Sequence, residues 1–193
     1  MVVRALGRLL GAHPLVGAGV ALLIRSDLGA APWDVFHVGL ARATGLSIGT
    51  ATTVTAVAAV LVALAAGVRP GLGTLVNALI IGLCVDAALA LVPGSPPLWL
   101  AAGYLAAGIV LLGLGTGLYL SADMGSGPRD SLMVALARRR GFGTGRARVA
   151  IELSALGAGL ALGGRAGAGT LVYAAAIGPV AQRCIQLFAQ EHP

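Results

Sequence analysis

Two aspartates that follow prolines are the residues best placed for chemistry in this 193-residue chain. Asp34 lies two residues after Pro32, and Asp130 lies two residues after Pro128. Proline suits the first position of a helix, where its missing N–H is harmless. Each carboxylate is therefore predicted to lie in a first helical turn, where free N–H groups and the positive end of the helix dipole favour a negative charge.

Glycines precede both prolines and leave two interpretations open. Gly29 and Gly125 permit left-handed backbone or the close approach of another segment. Either each aspartate only stabilises the start of its own helix, or the two interrupted segments together mark a central binding site. The second interpretation follows from the rule that irregular backbone at membrane depth must be buried in protein or line a cavity.

Three further polar residues are candidates for the same site. His37 follows Asp34 by three residues, so a helix puts both on one face for a proton relay, unless His37 is simply an interfacial polar residue. Asn77 either contributes a hydrogen bond to the site or joins two helices. Asp86 lies in an apolar stretch, where an ionisable group should face the interior or a watery cavity, and its alternative is an ion pair with Arg183.

Paired glycines occur elsewhere without the rest of a catalytic or nucleotide-binding motif. The motif glycines Gly71, Gly73, Gly167 and Gly169 precede threonines, but no phosphate-binding loop or Rossmann pattern surrounds them. We interpret them as closely packed helix starts. No His-Glu-x-x-His, Gly-x-Ser-x-Gly or metal-ligand spacing is present, so the sequence predicts no enzyme, metal or cofactor.

The composition is that of an integral membrane protein whose main partner is the lipid bilayer. Hydrophobic residues make up 58% of the chain and charged residues only 10%, against about 25% charged in soluble domains. The net charge of +6 comes from arginines at segment boundaries, so we expect no nucleic-acid partner. Arg148 and Glu152, four residues apart, are predicted to form a neutralising pair near the cytoplasmic interface.

An internal repeat with an offset of 96 residues organises the sequence. Without a gap, residues 17–86 and 113–182 are identical at 27 of 70 positions. The identities include the proline and aspartate of both loops. The sequence therefore predicts two homologous membrane domains, a first repeat over residues 1–97 and a second over residues 98–193.

Each repeat is predicted to contain three transmembrane helices and one short, non-spanning helix. The apolar segments are 3–24, 50–67 and 72–92, then 98–120, 147–163 and 168–188. Crossing a membrane takes about 20 helical residues. The short helices, 33–44 and 129–140, cover only about 18 Å. The predicted fold class is an all-α polytopic membrane protein.

The number of crossings decides how the repeats are oriented. Six spans make them inverted, whereas eight spans, with the short helices crossing, make them parallel. Arginine counts favour a cytoplasmic N-terminus in both cases but barely separate them, and the length of the short helices favours six.

These motifs together resemble the YczE/YyaS/YitT group of bacterial integral membrane proteins. The resemblance rests on the duplicated Leu-Gly-x-x-Pro-x-Asp loop, on Thr-Gly-Leu-Ser-Ile-Gly-Thr at 44–50 and on Arg-Pro-Gly-Leu-Gly-Thr-Leu-x-Asn-Ala-Leu at 69–79. It implies a location in the bacterial plasma (inner) membrane more than it implies an activity. The second repeat departs from the pattern, with Arg129 in place of Trp33 and Tyr173 in place of Asn77.

We expect a transporter or permease for a small, unidentified solute, working by alternating access between the two repeats. A non-transporting membrane partner, or a regulatory or assembly subunit, is the alternative, because short loops and many small residues also suit lateral helix packing. The small interior expected for six helices makes a homodimer reasonable.

Overall fold

All regular structure in the described part of the chain is helical. The protein is represented by a computed structural model that describes residues 2–140 and 143–189. Its helices are α1 (Val2–Arg25), α2 (Pro32–Thr44), α3 (Ile48–Ala65), α4 (Leu72–Leu91), α5 (Leu98–Leu120), α6 (Pro128–Arg140), α7 (Thr144–Ala161) and α8 (Ala168–Ala189). The predicted segments agree with these bounds to within three residues.

The short helix α2 begins and ends where its sequence dictates. Pro32 occupies its first turn and Asp34 follows there. Gly45 ends the helix in a left-handed conformation, with φ of 74°, and donates its N–H to the Ala41 carbonyl. Glycine adopts this conformation without the steric cost of a Cβ.

Within the described residues, five helices are long and apolar enough to cross a membrane: Val3–Arg25, Ile48–Ala65, Leu72–Leu91, Leu98–Leu120 and Ala168–Phe188. Leucines on their outer faces are exposed, as in Leu79, Leu83 and Leu171. An outward apolar surface of this kind suits lipid. The protein is therefore a multi-pass membrane protein.

The sixth predicted span, 147–163, does not qualify on composition. It corresponds to α7, whose 18 residues include Arg146, Arg148 and Glu152. Arg148 and Glu152 were predicted to pair at an interface, but both line an internal cavity. A charged inner face lowers the hydropathy of a helix whatever its outer face contacts.

Close helix contacts reveal the direction of the helices. A Cβ at Gly17 of α1 would lie 2.7 Å from Cys84 of α4, and the Arg25 guanidinium donates to the Leu89 carbonyl at 2.8 Å. Contact positions thus advance together along α1 and α4, which run in the same direction.

Helix α5 runs opposite to α1. Gly19 of α1 approaches the Gly108 carbonyl near the middle of α5, whereas Gly11, earlier in α1, approaches Leu118, later in α5. Helices α5 and α8 run in the same direction, because Gly113 faces Val180 and Gly117 faces Cys184. The absence of side chains at these glycines lets the helices approach closely.

Each proline-containing loop packs against the start of a helix from the other end of the chain. Gly73 at the start of α4 donates its N–H to the Met124 carbonyl at 2.7 Å. Gly169 at the start of α8 donates to the Leu28 carbonyl, also at 2.7 Å. Gly29 and Gly125 in these loops have φ values of 111° and 118°. A Cβ at Gly29 would also meet the Gly167 amide nitrogen at 2.5 Å.

The helix pairs α3–α4 and α7–α8 differ, although their sequences correspond at the 96-residue offset. Helices α3 and α4 pack closely, and a Cβ at Gly82 would overlap the carbonyl of Gly49 and the hydroxyl of Thr53. At the corresponding positions Gly145 and Gly178, an added Cβ would have no heavy atom within 4 Å. Gly145 and Gly178 are therefore not used for helix packing in this conformation.

This difference predicts unequal effects of adding one methyl group. Gly82→Ala should lower the free energy of unfolding by about 1–3 kcal/mol or more, because the Cβ meets backbone that cannot move aside cheaply. Gly178→Ala is the matched control and should cost less than about 0.5 kcal/mol. Unfolding in detergent measures both variants, and equal losses would contradict the packing described.

Candidate functional site

A cavity of about 460 Å³ lies at the centre of the bundle. Residues from all eight helices line it, and its volume falls within the range of about 300–1,000 Å³ that is typical of small-molecule sites. Its charged and polar lining includes Asp34, His37, Thr52, Thr55, Asn77, Thr116, Tyr119, Arg129, Asp130, Arg148, Glu152, Tyr173 and Gln182. Four of the five predicted site residues, Asp34, Asp130, Asn77 and His37, therefore lie at one cavity.

The first turns of α2 and α6 meet at this cavity. The Arg129 guanidinium carbon lies 5.1 Å from the centre of the Trp33 ring, a cation–π distance. An Arg129 Nη atom is 4.0 Å from an Asp34 carboxylate oxygen. Trp33 and Arg129 occupy the same position in the sequence repeat. Arg129, which replaces the tryptophan of the first repeat, thus places a positive charge beside Asp34.

His37 and Asp34 form the pair that their spacing predicted. His37 Nδ1 lies 3.8 Å from the Asp34 carboxylate, beyond a direct hydrogen bond, and both side chains are buried. Burial lowers the pKa of His37, which lies outside the five candidate spans, and the adjacent carboxylate partly opposes that effect. Burial thus disfavours the charged form of the imidazole beside the Asp34–Arg129 pair.

Helix α7 brings two charges to the cavity that the sequence analysis assigned to an interface. Arg148 and Glu152 both line the cavity. They do not form the predicted ion pair, since no contact within 4.0 Å joins these two described side chains. Glu152 is half-buried and lies within electrostatic range of Arg129, Arg148, Asp34 and Asp130. The rotation of α7 about its axis decides this placement, and four-residue spacing does not encode it.

Asp86 is the predicted site residue that the structure places outside the cavity lining. Its carboxylate accepts hydrogen bonds from the Ser47 hydroxyl at 2.5 Å and from the Gly49 N–H at 2.7 Å. Asp86 thereby caps the start of α3 from α4. Among the described ion pairs there is none between Asp86 and Arg183, the alternative partner considered from sequence.

Three residues of the cavity lining each carry a buried polar atom that has no hydrogen-bond partner within the described part of the chain. The atoms are Trp33 Nε1, His37 Nδ1 and the Tyr119 hydroxyl. These residues are 6%, 2% and 7% exposed. Buried polar groups are normally satisfied, and a site that binds a ligand is one reason for exceptions.

Trp33, Tyr119, Arg129 and Tyr173 were not predicted as site residues. The repeat alignment carried a usable signal, because the lining recurs at the 96-residue offset, as for Asn77 and Tyr173. In the described residues, no group of three or more His, Cys, Asp or Glu side chains could hold a metal ion.

The sequence also matches a known protein family. Residues 4–186 match a family described as a family of unknown function (DUF6198). The chain belongs to this family. The family assignment covers both loops and every helix that lines the cavity.

Three similar proteins come from two bacteria. An uncharacterized protein of Haemophilus influenzae is 34% identical over 187 residues, which cover 97% of this chain and 86% of the relative. The uncharacterized membrane protein YczE of Bacillus subtilis is 34% identical over 164 residues, covering 83% and 75%. The uncharacterized protein YyaS of the same species is 32% identical over 122 residues, covering 61% of each chain.

These matches confirm the resemblance to YczE and YyaS that the loop motifs indicated. No solved structure matches the chain.

The position of Asp86 predicts a structural effect. Asp86→Asn should lower the free energy of unfolding by about 1–2 kcal/mol, because the amide removes the negative charge and one acceptor at the start of α3. Asp123→Asn is the matched control, since Asp123 is exposed with φ of 51°, a conformation that asparagine tolerates. Equal thermal unfolding of the two variants would contradict the capping role.

Proposed function

We propose that this protein is a small-solute permease of the bacterial plasma membrane. The observation that supports the proposal most strongly is the central cavity, which draws lining residues from all eight helices. The first turns of α2 and α6, which follow the two irregular loops, line this cavity. A transporter site between discontinuous helices has this arrangement. In this proposal Asp34, Asp130, Asn77 and His37 bind the solute, and Asp86 acts structurally.

The proposal includes two inverted repeats, residues 1–97 and 98–193. Antiparallel α1 and α5 support inversion, since parallel repeats would place them in the same direction. A pair of equivalent hydrogen bonds also supports it. Gly73 donates to Met124 and Gly169 donates to Leu28, and both the donors and the acceptors differ by 96 residues. Helix α7 is the sixth crossing, with its charges turned toward the cavity.

Unequal helix pairs suggest how access alternates. The α3–α4 pair is closed, held by the Gly49–Gly82 contact and by Asp86. The α7–α8 pair is apart at Gly145 and Gly178. With a cytoplasmic N-terminus, six crossings put the α7–α8 gap on the cytoplasmic side. The opposite state would close α7 on α8 through these unused glycines and separate α3 from α4.

The proposal assigns no enzymatic activity to the chain, and it includes no nucleophile–base pair or cofactor site. The rival function is a non-transporting subunit, and exposed leucines such as Leu83 and Leu171 would suit a protein partner as well as lipid. A polar cavity with buried, unpartnered atoms favours the permease, because lateral assembly alone requires no such interior.

Cysteine labelling tests the inverted topology. In a background with Cys84→Ala and Cys184→Ala, a membrane-impermeant maleimide should label Thr44→Cys in intact spheroplasts and Arg140→Cys only after permeabilisation. The reason is that the ends of α2 and α6 lie on opposite sides when the repeats are inverted. Labelling of both positions from one side would refute inversion.

Flux into liposomes that contain only the purified protein tests transport itself. We expect saturable uptake of at least one radiolabelled solute from a panel of amines, amino acids, carboxylates and sugars. Asp34→Asn and Asp130→Asn should reduce that uptake at least about tenfold, because each removes a cavity charge. Gly145→Val should fold yet slow uptake, since its side chain lies outside the cavity lining but obstructs closure of α7 on α8.

Asp123→Asn, which lies outside the cavity, is the control for charge removal and should transport normally. Absence of flux for every class, together with a stable co-purifying partner, would replace the permease with the rival function.

A further inference from the structure

We propose that the solute is a small amine that also carries a hydrogen-bond acceptor oxygen. This inference rests on the proposed function for its site, and it concerns the chemical class of the ligand. It is drawn from the charges that line the cavity and from the buried polar atoms there that lack a partner.

The cavity lining contains more carboxylates than guanidinium groups. The acids are Asp34, Asp130 and Glu152, and the bases are Arg129 and Arg148. Arg129 lies beside Asp34 at 4.0 Å, and no described side chain forms an ion pair with Asp130 or Glu152. A carboxylate held away from bulk water needs a compensating positive charge. An ammonium group on the solute supplies one.

The two guanidinium groups are poorly placed to reverse this preference. Arg129 is committed to Asp34 and stacks on Trp33. Arg148 is exposed, so water already solvates its charge. With Asp34 and Arg129 paired, an anionic solute would meet the two remaining carboxylates, Asp130 and Glu152, and would gain one solvated cation.

The unpartnered atoms specify the second group on the solute. Trp33 Nε1–H is a donor only, is 94% buried with its residue and has no acceptor in the described part of the protein. The Tyr119 hydroxyl and His37 Nδ1 can each donate or accept. A hydroxyl, ether, carbonyl or carboxylate oxygen on the solute would accept from Trp33. A purely hydrocarbon amine would leave that buried donor unsatisfied, which binding sites penalise.

The tryptophans of the chain provide a direct binding signal. There are two, and Trp99 is 75% exposed on the outer surface whereas Trp33 is buried at the cavity. In a Trp99→Phe background, fluorescence therefore reports from Trp33 alone. The probes share a four-carbon skeleton: 4-aminobutanol, 4-aminobutyrate, N-acetyl-4-aminobutanol, 4-hydroxybutyrate and n-butylamine. The last is an amine without an acceptor oxygen and should bind more weakly than 4-aminobutanol.

Saturable changes in Trp33 fluorescence are expected with 4-aminobutanol and 4-aminobutyrate. The neutral acetylated probe and the anionic probe should bind about tenfold more weakly or not at all, because they lack the ammonium group. Asp130→Asn should weaken amine binding about tenfold or more, whereas Asp123→Asn should leave it unchanged. Circular dichroism of each variant establishes that it is folded.

Three results would overturn the inference: no change with 4-aminobutanol or 4-aminobutyrate up to about 10 mM, binding of 4-hydroxybutyrate or n-butylamine equal to that of 4-aminobutanol, or unchanged binding in a folded Asp130→Asn variant. Liposome flux separates this failure from failure of the permease proposal. Amine binding without flux of any solute preserves the ligand class and refutes transport, whereas flux confined to anions or sugars preserves transport and refutes the ligand class.

Discussion

Backbone polar groups in lipid must find partners within the protein, and this constraint governs the architecture of the chain. Its two irregular loops meet the requirement by packing on helices that lie far away in sequence. The Met124 carbonyl accepts from Gly73 and the Leu28 carbonyl accepts from Gly169, both at 2.7 Å. These bonds hold the loops against α4 and α8. The helices that follow the loops, α6 and α2, then begin beside the cavity, where Arg129 meets Trp33.

The positions of proline and glycine made the helix boundaries predictable. Pro32 and Pro128 occupy the first positions of α2 and α6, and Gly45 terminates α2. Apolar run lengths then separate long helices from short ones. The association of Asp34 with His37 was also predictable, since three-residue spacing on a helix brings two side chains to one face.

Helix rotation and helix separation could not be predicted in the same way. Asp86 lies in a fully apolar stretch, so its sequence context does not reveal whether it faces the cavity or the start of α3. Arg148 and Glu152 were assigned to an interface for a related reason, because α7 has polar residues that only the three-dimensional packing assigns to the interior. Trp33 was overlooked because a tryptophan near a helix start is commonly a packing residue or an interfacial one.

The packing of the short helices has an evolutionary consequence. Helix α2 packs mainly on α7, and α6 packs on α3, so each of the proposed repeats completes the interior of the other. A protein of one repeat alone would lack those partners. It could assemble only as an antiparallel pair whose members had entered the membrane in opposite orientations. On the proposed repeat architecture, fusion into one polypeptide would remove that dual-insertion requirement and would let each copy acquire its own residues, as with Trp33 and Arg129.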